Sequence, residues 1–239
     1  MAEIQEKPHT VELFTEVAPK YEFLNSIMTA GMDRSWRKTL LKISEAALGQ
    51  TPKDILDLAT GTGDVPRMMA EKWPRAKITG TDPTVAMLDV ARKRKSSIVW
   101  QEGVAEKIAF PDESLDLITI AFGFRNVAEA SRLKAAQEAF RVLRPGGVFS
   151  ILELGLPARN PWRKSYSFLL RFGMPNFAGL FSPKDPYKYL SQSILDFPPP
   201  ENIRRMLSKA GFVPFAPRPL SLGMTWLYVG KKSPHKNQD

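Results

Sequence analysis

The sequence has no cysteine. That removes disulfides, thiolate metal sites and cysteine nucleophiles together, and makes a reducing compartment the simple expectation. Histidine is scarce: His9 and His235 stand near the two ends, so a general base in the interior has to be a carboxylate, a tyrosine, a lysine or water. No stretch of about 18 consecutive apolar residues exists to span a bilayer, and no early apolar run precedes a small-residue cleavage site. Internal repeats are missing, and low complexity is confined to Pro198-Pro199-Pro200 and the charged stretch after Lys231. A soluble, cytoplasmic protein is predicted.

What is present in excess is positive charge, with 34 Lys and Arg against 25 Asp and Glu, a formal net charge of +9. Nucleic acid and an anionic membrane surface are the two partners this suggests. The cations come in groups: Arg34, Arg37, Lys38 and Lys42; Arg92, Lys93, Arg94 and Lys95; Arg159, Arg163 and Lys164. None is interleaved with aromatics as a stacking platform for single strands would be, so each reads first as a solvated helix face and nucleic acid is disfavoured.

The chain is organised around Asp54-Ile55-Leu56-Asp57-Leu58-Ala59-Thr60-Gly61-Thr62-Gly63-Asp64. Ile55 to Leu58 suits a buried parallel strand, and Gly61 and Gly63 allow a tight turn whose backbone can approach a ligand before a helix begins. The turn lacks the Lys and Ser or Thr of a phosphate cradle, and Pro66 stands where a dinucleotide fingerprint needs its third glycine. Asp57 and Asp64 bracket the turn with negative charge, which repels phosphate and suits a cation. Asp82 ends the next strand about 20 residues on, where an acid accepts ribose hydroxyls. An adenosine with a positive sulfonium and an amino acid meets these requirements, so S-adenosylmethionine is the expected cofactor. No metal site is expected.

The pattern before and after this stretch predicts the fold. Thr10 to Leu48 reads as helical, broken at Pro19 and Gly31, and is placed as an addition over the ligand edge of the sheet. Asp64 to Trp73 and Pro83 to Lys95 read as helices, as does Val127 to Leu143, which Arg144-Pro145-Gly146-Gly147 closes. Strands are predicted at Ile55–Leu58, Ala76–Thr81, Ser97–Gln101, Leu115–Ala121 and Val148–Leu154, with Phe212–Leu220 and Thr225–Lys231 as an antiparallel pair. Between them Asn160–Phe181, Tyr187–Phe197 and Glu201–Lys209 depart from the alternation as a helical insertion. The fold class is α/β, a doubly wound seven-stranded sheet with helices on both faces and ligands beyond its strand C-termini. One domain is expected: a helical cap over 10–48, a cofactor-binding core over 52–155, a helical substrate cover over 157–210 and closing strands over 211–232.

Four stretches carry a resemblance: Asp57-Leu58-Ala59-Thr60-Gly61-Thr62-Gly63-Asp64, Phe122-Gly123-Phe124-Arg125-Asn126-Val127, Arg141-Val142-Leu143-Arg144-Pro145-Gly146-Gly147 and Tyr187-Lys188-Tyr189-Leu190-Ser191-Gln192-Ser193-Ile194. With Val17 to Asn25, Trp36-Arg37 and Gly211-Phe212, they make the chain resemble class I S-adenosylmethionine-dependent methyltransferases. Within that class it resembles the ubiquinone and menaquinone biosynthesis C-methyltransferases, nearly end to end. The resemblance implies C-methylation of a prenylated hydroquinone ring, demethylmenaquinol first and a polyprenyl-benzoquinol second, by an enzyme whose lipid substrate brings it to the membrane surface. Cofactor contacts are implied at Asp57, Gly61, Thr62, Gly63, Asp82, Val104, Ala105 and Ala121. Two of these depart from the family: Val104 replaces an Asp or Asn that accepts from the adenine amino group, and Ala121 replaces a serine.

Arg125 and Asn126 are the expected catalytic pair. A fixed guanidinium in a dry pocket favours the phenolate that makes the ring carbon nucleophilic, unless Arg125 instead forms a salt bridge to a neighbouring helix; Asn126 orients the hydroxyl or a water that takes its proton, unless it serves as the cap of a helix beginning at Val127. Tyr21, Asn25, Tyr187 and Tyr189 are implied on the substrate side. The apolar stretch Tyr166 to Phe181 offers a wall for the isoprenoid tail that also leans on the membrane, aided by Arg159, Arg163, Lys164 and Arg171. Oligomeric state, a homodimer included, is left open. The competing readings are a methyltransferase for RNA or another small molecule, and a cofactor-binding regulator without catalysis. Neither a cysteine for a pyrimidine adduct nor an Asn/Asp-Pro-Pro-aromatic stretch after the fourth strand is present to favour RNA.

Overall fold

The computed structural model describes residues 15, 29, 31–94, 96–158, 162–173 and 185–234. Its centre is a sheet of β1 (Asp54–Leu58), β2 (Lys77–Asp82), β3 (Val99–Glu102), β4 (Leu115–Ala121) and β5 (Leu143–Leu154), completed by β6 (Val213–Pro214), β7 (Arg218–Leu220) and β8 (Thr225–Lys231). The spatial order is β3-β2-β1-β4-β5-β8-β6, with β7 also on β8. β1 to β5 are parallel, and β8 is antiparallel to its neighbours β5, β6 and β7. Among the described residues the α-helices are α1 (Met32–Leu48), α2 (Asp64–Lys72), α3 (Val85–Arg92), α4 (Arg132–Val142), α5 (Trp162–Phe168), α6 (Asp185–Leu195) and α7 (Pro200–Lys209).

Alternation along the strands divides the core into two layers. Leu56, Leu58, Ile118, Ile120, Phe149 and Ile151 face one side with α4 and α7, while Ile55, Leu117, Val148 and Leu152 face the other with α1 and α2. Ile55, Leu56, Leu117 and Ile118 are 1% exposed or less, and each such side chain contributes about 1.5–3 kcal/mol of transfer free energy. Strand order reverses between β1 and β4, so their C-terminal ends open the crevice in which doubly wound sheets take ligands.

The doubly wound α/β class is the one expected, with four local differences. The expected strand over Phe212–Leu220 is two short ones, which raises the strand count to eight. Pro214, Pro217 and Pro219 explain the break, since proline cannot donate to a ladder. The expected helix over Val127–Leu143 starts only at Arg132 after a single turn at Glu129–Ser131. Val127 and Ala128 stay extended because the Arg132 guanidinium draws in the carbonyls of Arg125 and Val127. β5 runs back through Arg144-Pro145-Gly146-Gly147, with a register shift opposite Leu115 and Leu117 and Gly146 at φ +83°. Lastly, α1 lies on the face of β5 and β8, its Trp36, Leu40 and Leu41 inside the core, and so helps to build the sheet domain itself.

Candidate active site

The turn after β1 is held by side chains that no ligand needs to supply. Asp57 is 1% exposed and accepts from the hydroxyls of Thr60, at 2.8 Å, and Thr119. Burial dominates its titration and pushes it up to about 7, against those two hydrogen bonds and the nearby Arg37 charge. Asp82 binds the turn from the other side: its carboxylate takes the Gly61 N–H and the Thr84 N–H, both at 2.8 Å. Burial raises the Asp82 pKa as well, opposed by these N–H bonds. The Thr84 hydroxyl bonds to it as well, and since a carboxylate has about four acceptor positions one is left for a ligand hydroxyl.

Two glycines are dictated by close approach. Gly63 sits at φ +85°, and a Cβ there would meet the Trp100 indole at 2.4 Å. Gly80 on β2 would meet the same ring at 2.7 Å. Trp100 therefore backs the turn from β3. On the other flank Ala59 (φ +48°) and Phe122 (φ +61°), which directly follow β1 and β4, are both left-handed without being glycine. Such backbone costs about 1–3 kcal/mol per residue and gathers at functional sites. A recess lies between them, lined by Asp57, Gly61, Thr62, Asp64, Ala121 and Phe122, with Arg37 reaching in from α1. Val104 and Ala105 stand beside Asp82, joined to it through the Gly103 N–H on the Asp82 carbonyl at 3.3 Å. The eight expected cofactor residues are thus brought to one edge of the sheet.

The second cluster follows β4. Arg125 is 8% exposed; its Nη1 donates to Glu153 Oε1 at 2.8 Å and to the Phe122 carbonyl, and its Nε to Ser193 Oγ at 3.3 Å. Glu153, fully buried on β5, also accepts the Arg125 N–H at 2.9 Å and the Leu154 N–H. The guanidinium expected to await a phenolate is thus already in a buried ion pair. Asn126 caps no helix at Val127, because the helix begins later; its Oδ1 instead accepts from Tyr189 Oη of α6 at 3.2 Å. Asn126 and Tyr189 meet across elements far apart in sequence. Tyr21, Asn25 and the Tyr187 side chain lie outside the described residues.

Several participants escaped sequence reasoning. Glu153 left one signal, an acid inside the apolar run Ile151 to Leu154, where a buried charge demands a partner. Thr60, Thr119 and Arg132 left none, because their roles depend on the pairing of β1 with β4 and on the fold of the loop after β4.

The ubiE/COQ5 methyltransferase family model matches residues 1–232. The chain belongs to that family. It is a methyltransferase, 41% identical over 227 residues to the demethylmenaquinone methyltransferase of Thermotoga maritima, covering 94% of this chain and 96% of that one. It is 36% identical over 228 residues to the ubiquinone/menaquinone biosynthesis C-methyltransferase UbiE of Geobacter sulfurreducens, covering 92% and 87%. Among solved structures, a SAM-dependent methyltransferase described as a possible histamine N-methyltransferase, from Thermotoga maritima, shares the methyltransferase's fold, with TM-score 0.64, 19% identity and coverage of 93% and 99%.

Proposed function

We propose that this methyltransferase acts in quinone biosynthesis, methylating a ring carbon of a prenylated hydroquinone, with demethylmenaquinol the first candidate and a polyprenyl-benzoquinol the second. The observation that carries the reading is the likeness, over nearly the full length of both chains, to a demethylmenaquinone methyltransferase. S-adenosylmethionine, when bound, supplies an electrophilic methyl group on a sulfonium. The residues present fit it: among the described residues the recess is lined by two acids, with Arg37 its one cation, which suits a cationic ligand that carries a carboxylate, and a buried Arg37 N–H in its wall has no acceptor.

Asp82 would accept the ribose hydroxyls, Gly61, Thr62 and Gly63 would admit the amino-acid end, and Val104, Ala105 and Ala121 would border the nucleoside. Asp57 acts through Thr60 by fixing the turn. On the substrate side Asn126 and Tyr189, hydrogen-bonded to each other, would orient the ring hydroxyl and so favour the pose in which a ring carbon meets the methyl group; the resemblance adds Tyr21, Asn25 and Tyr187 to this side. Arg125 positions Asn126 and, with Glu153, keeps a polar but uncharged balance behind the ring. Of the expected substrate cover, α6 brings Tyr189 to Asn126.

Peripheral membrane contact belongs to the same proposal. Trp162, Phe168, Leu169 and Phe172 are about half exposed or more, among Arg163, Lys164 and Arg171. Apolar rings beside cations suit an anionic lipid surface, where the prenyl tail of the substrate resides. No helix among the described residues is long and apolar enough to cross a membrane.

The test is methyl transfer from labelled cofactor to reduced demethylmenaquinone, to a reduced demethylated benzoquinone and to bulk RNA. Label on the naphthoquinol ring carbon supports the first candidate, and label on RNA alone rejects the whole reading.

A further inference from the structure

We propose that Arg37 is the anchor for the α-carboxylate of the cofactor, and so the residue that distinguishes an amino-acid-bearing sulfonium nucleoside from one without a carboxylate. The inference rests on the cofactor reading above. Arg37 stands on α1 and is 7% exposed, with its guanidinium 5.5 Å from the centre of the Phe122 ring. Nη1 is bonded to the Asp33 carboxylate and Nη2 is 3.6 Å from Asp64. Nε is buried and has no hydrogen-bond partner. A guanidinium N–H without an acceptor inside a protein is costly, and a carboxylate is the acceptor that suits its planar fork.

Charge in the recess points the same way. Of the described residues that line it, Asp57 and Asp64 are acids and Arg37 is the one cation. Such a wall attracts the sulfonium and the amine of an S-adenosyl amino acid but repels its carboxylate, unless a cation stands at that end. Arg37 meets this need from α1 and touches the turn through Asp64, so it reports on the ligand's charged tail rather than on adenine or ribose. A merely structural tie of α1 to α2 through Asp33 and Asp64 would leave ligand choice unaffected.

Calorimetry with two ligands separates the two roles. S-adenosylmethionine is compared with its decarboxylated form, which keeps the sulfonium, the amine and the nucleoside. The wild type is expected to bind the parent compound more tightly. In Arg37→Gln that preference is expected to collapse, with parent affinity falling about 10- to 100-fold while affinity for the decarboxylated form changes by less than about threefold. Arg37→Lys, which keeps the charge but not the fork, is expected to retain part of the preference, and it serves should the Gln variant not fold. Equal losses for both ligands, or equal affinities in the wild type, overturn the assignment. A wild type that binds neither ligand, though it remains folded by circular dichroism, overturns the cofactor reading and the Arg37 anchor with it.

Discussion

Arg125 and Glu153 form an ion pair at 2.8 Å across the C-terminal ends of β4 and β5, with side chains 4% and 0% exposed. Removing one partner strands a buried charge, which costs about 3–5 kcal/mol, whereas removing both charges costs far less. Arg125→Met is therefore expected to lower the urea-unfolding free energy by about that amount, and Glu153→Gln added to it to restore much of the loss. A single-variant loss below about 1 kcal/mol would show that the pair is solvated. Kinetics separate positioning from direct charge stabilisation. A wild-type to mutant rate ratio that does not change with pH fits positioning; one that shrinks toward about pH 10, where the phenol ionises unaided, makes Arg125 a direct partner of the phenolate.

Asp57 gives a pH signature. Its native pKa near 7 lies above the ordinary 3.8, so between those values the folded protein holds a proton that the unfolded chain has lost. Stability from this group is thus greatest below about pH 4, declines as pH rises toward 7 and is level above. Asp57→Asn removes the dependence. Its stability relative to wild type is expected to rise through that window by a few kcal/mol, at about 1.4 kcal/mol for each pH unit crossed. A difference independent of pH would mean that Asp57 ionises normally.

Asp82→Ala is expected to weaken S-adenosylmethionine binding by about 2–4 kcal/mol, since the ribose loses charge-assisted bonds. It should also lower the melting temperature, because the Gly61 and Thr84 N–H groups lose their acceptor. Unchanged affinity by calorimetry would remove Asp82 from the ribose.

Val104→Asp introduces the carboxylate acceptor that the family resemblance implies before the adenine. Binding is expected to tighten by about 1 kcal/mol if the amino group lies there unpaired. Equal or weaker binding would put the adenine elsewhere.

Gly80→Ala is expected to destabilise by about 1–3 kcal/mol through overpacking against Trp100 and Thr60. In a Trp100→Ala background the added cost should be smaller. An identical cost in both backgrounds would show that the indole yields freely.

The class of fold was legible because the runs ending at Leu58, Asp82 and Ala121 alternate with amphipathic helices, and the turn at Gly61 and Gly63 announces itself locally. The gathering of the expected cofactor residues at one sheet edge was legible for the same reason: they follow strands at fixed offsets. What escaped is what pairing creates. Glu153 meets Arg125 only because β5 lies beside β4, and Asn126 meets Tyr189 only after α6 folds back over the sheet. Local propensity also misjudged Val127 to Ser131, where Arg132 claims the carbonyls a helix would have used.

The placement of β8 bears on how the protein is made. β5 is flanked by β4 on one side and by β8 on the other, and β8 arrives only after α5, α6 and α7 have left the ribosome. Until then the far edge of β5, including Val148, Phe149, Ile151 and Leu152, is a long apolar strand with open donors and acceptors, the kind of edge that invites pairing between nascent chains. Completion of the sheet thus waits until the chain has been made through Lys231, and the interval before β8 docks is when the open edge of β5 most invites association.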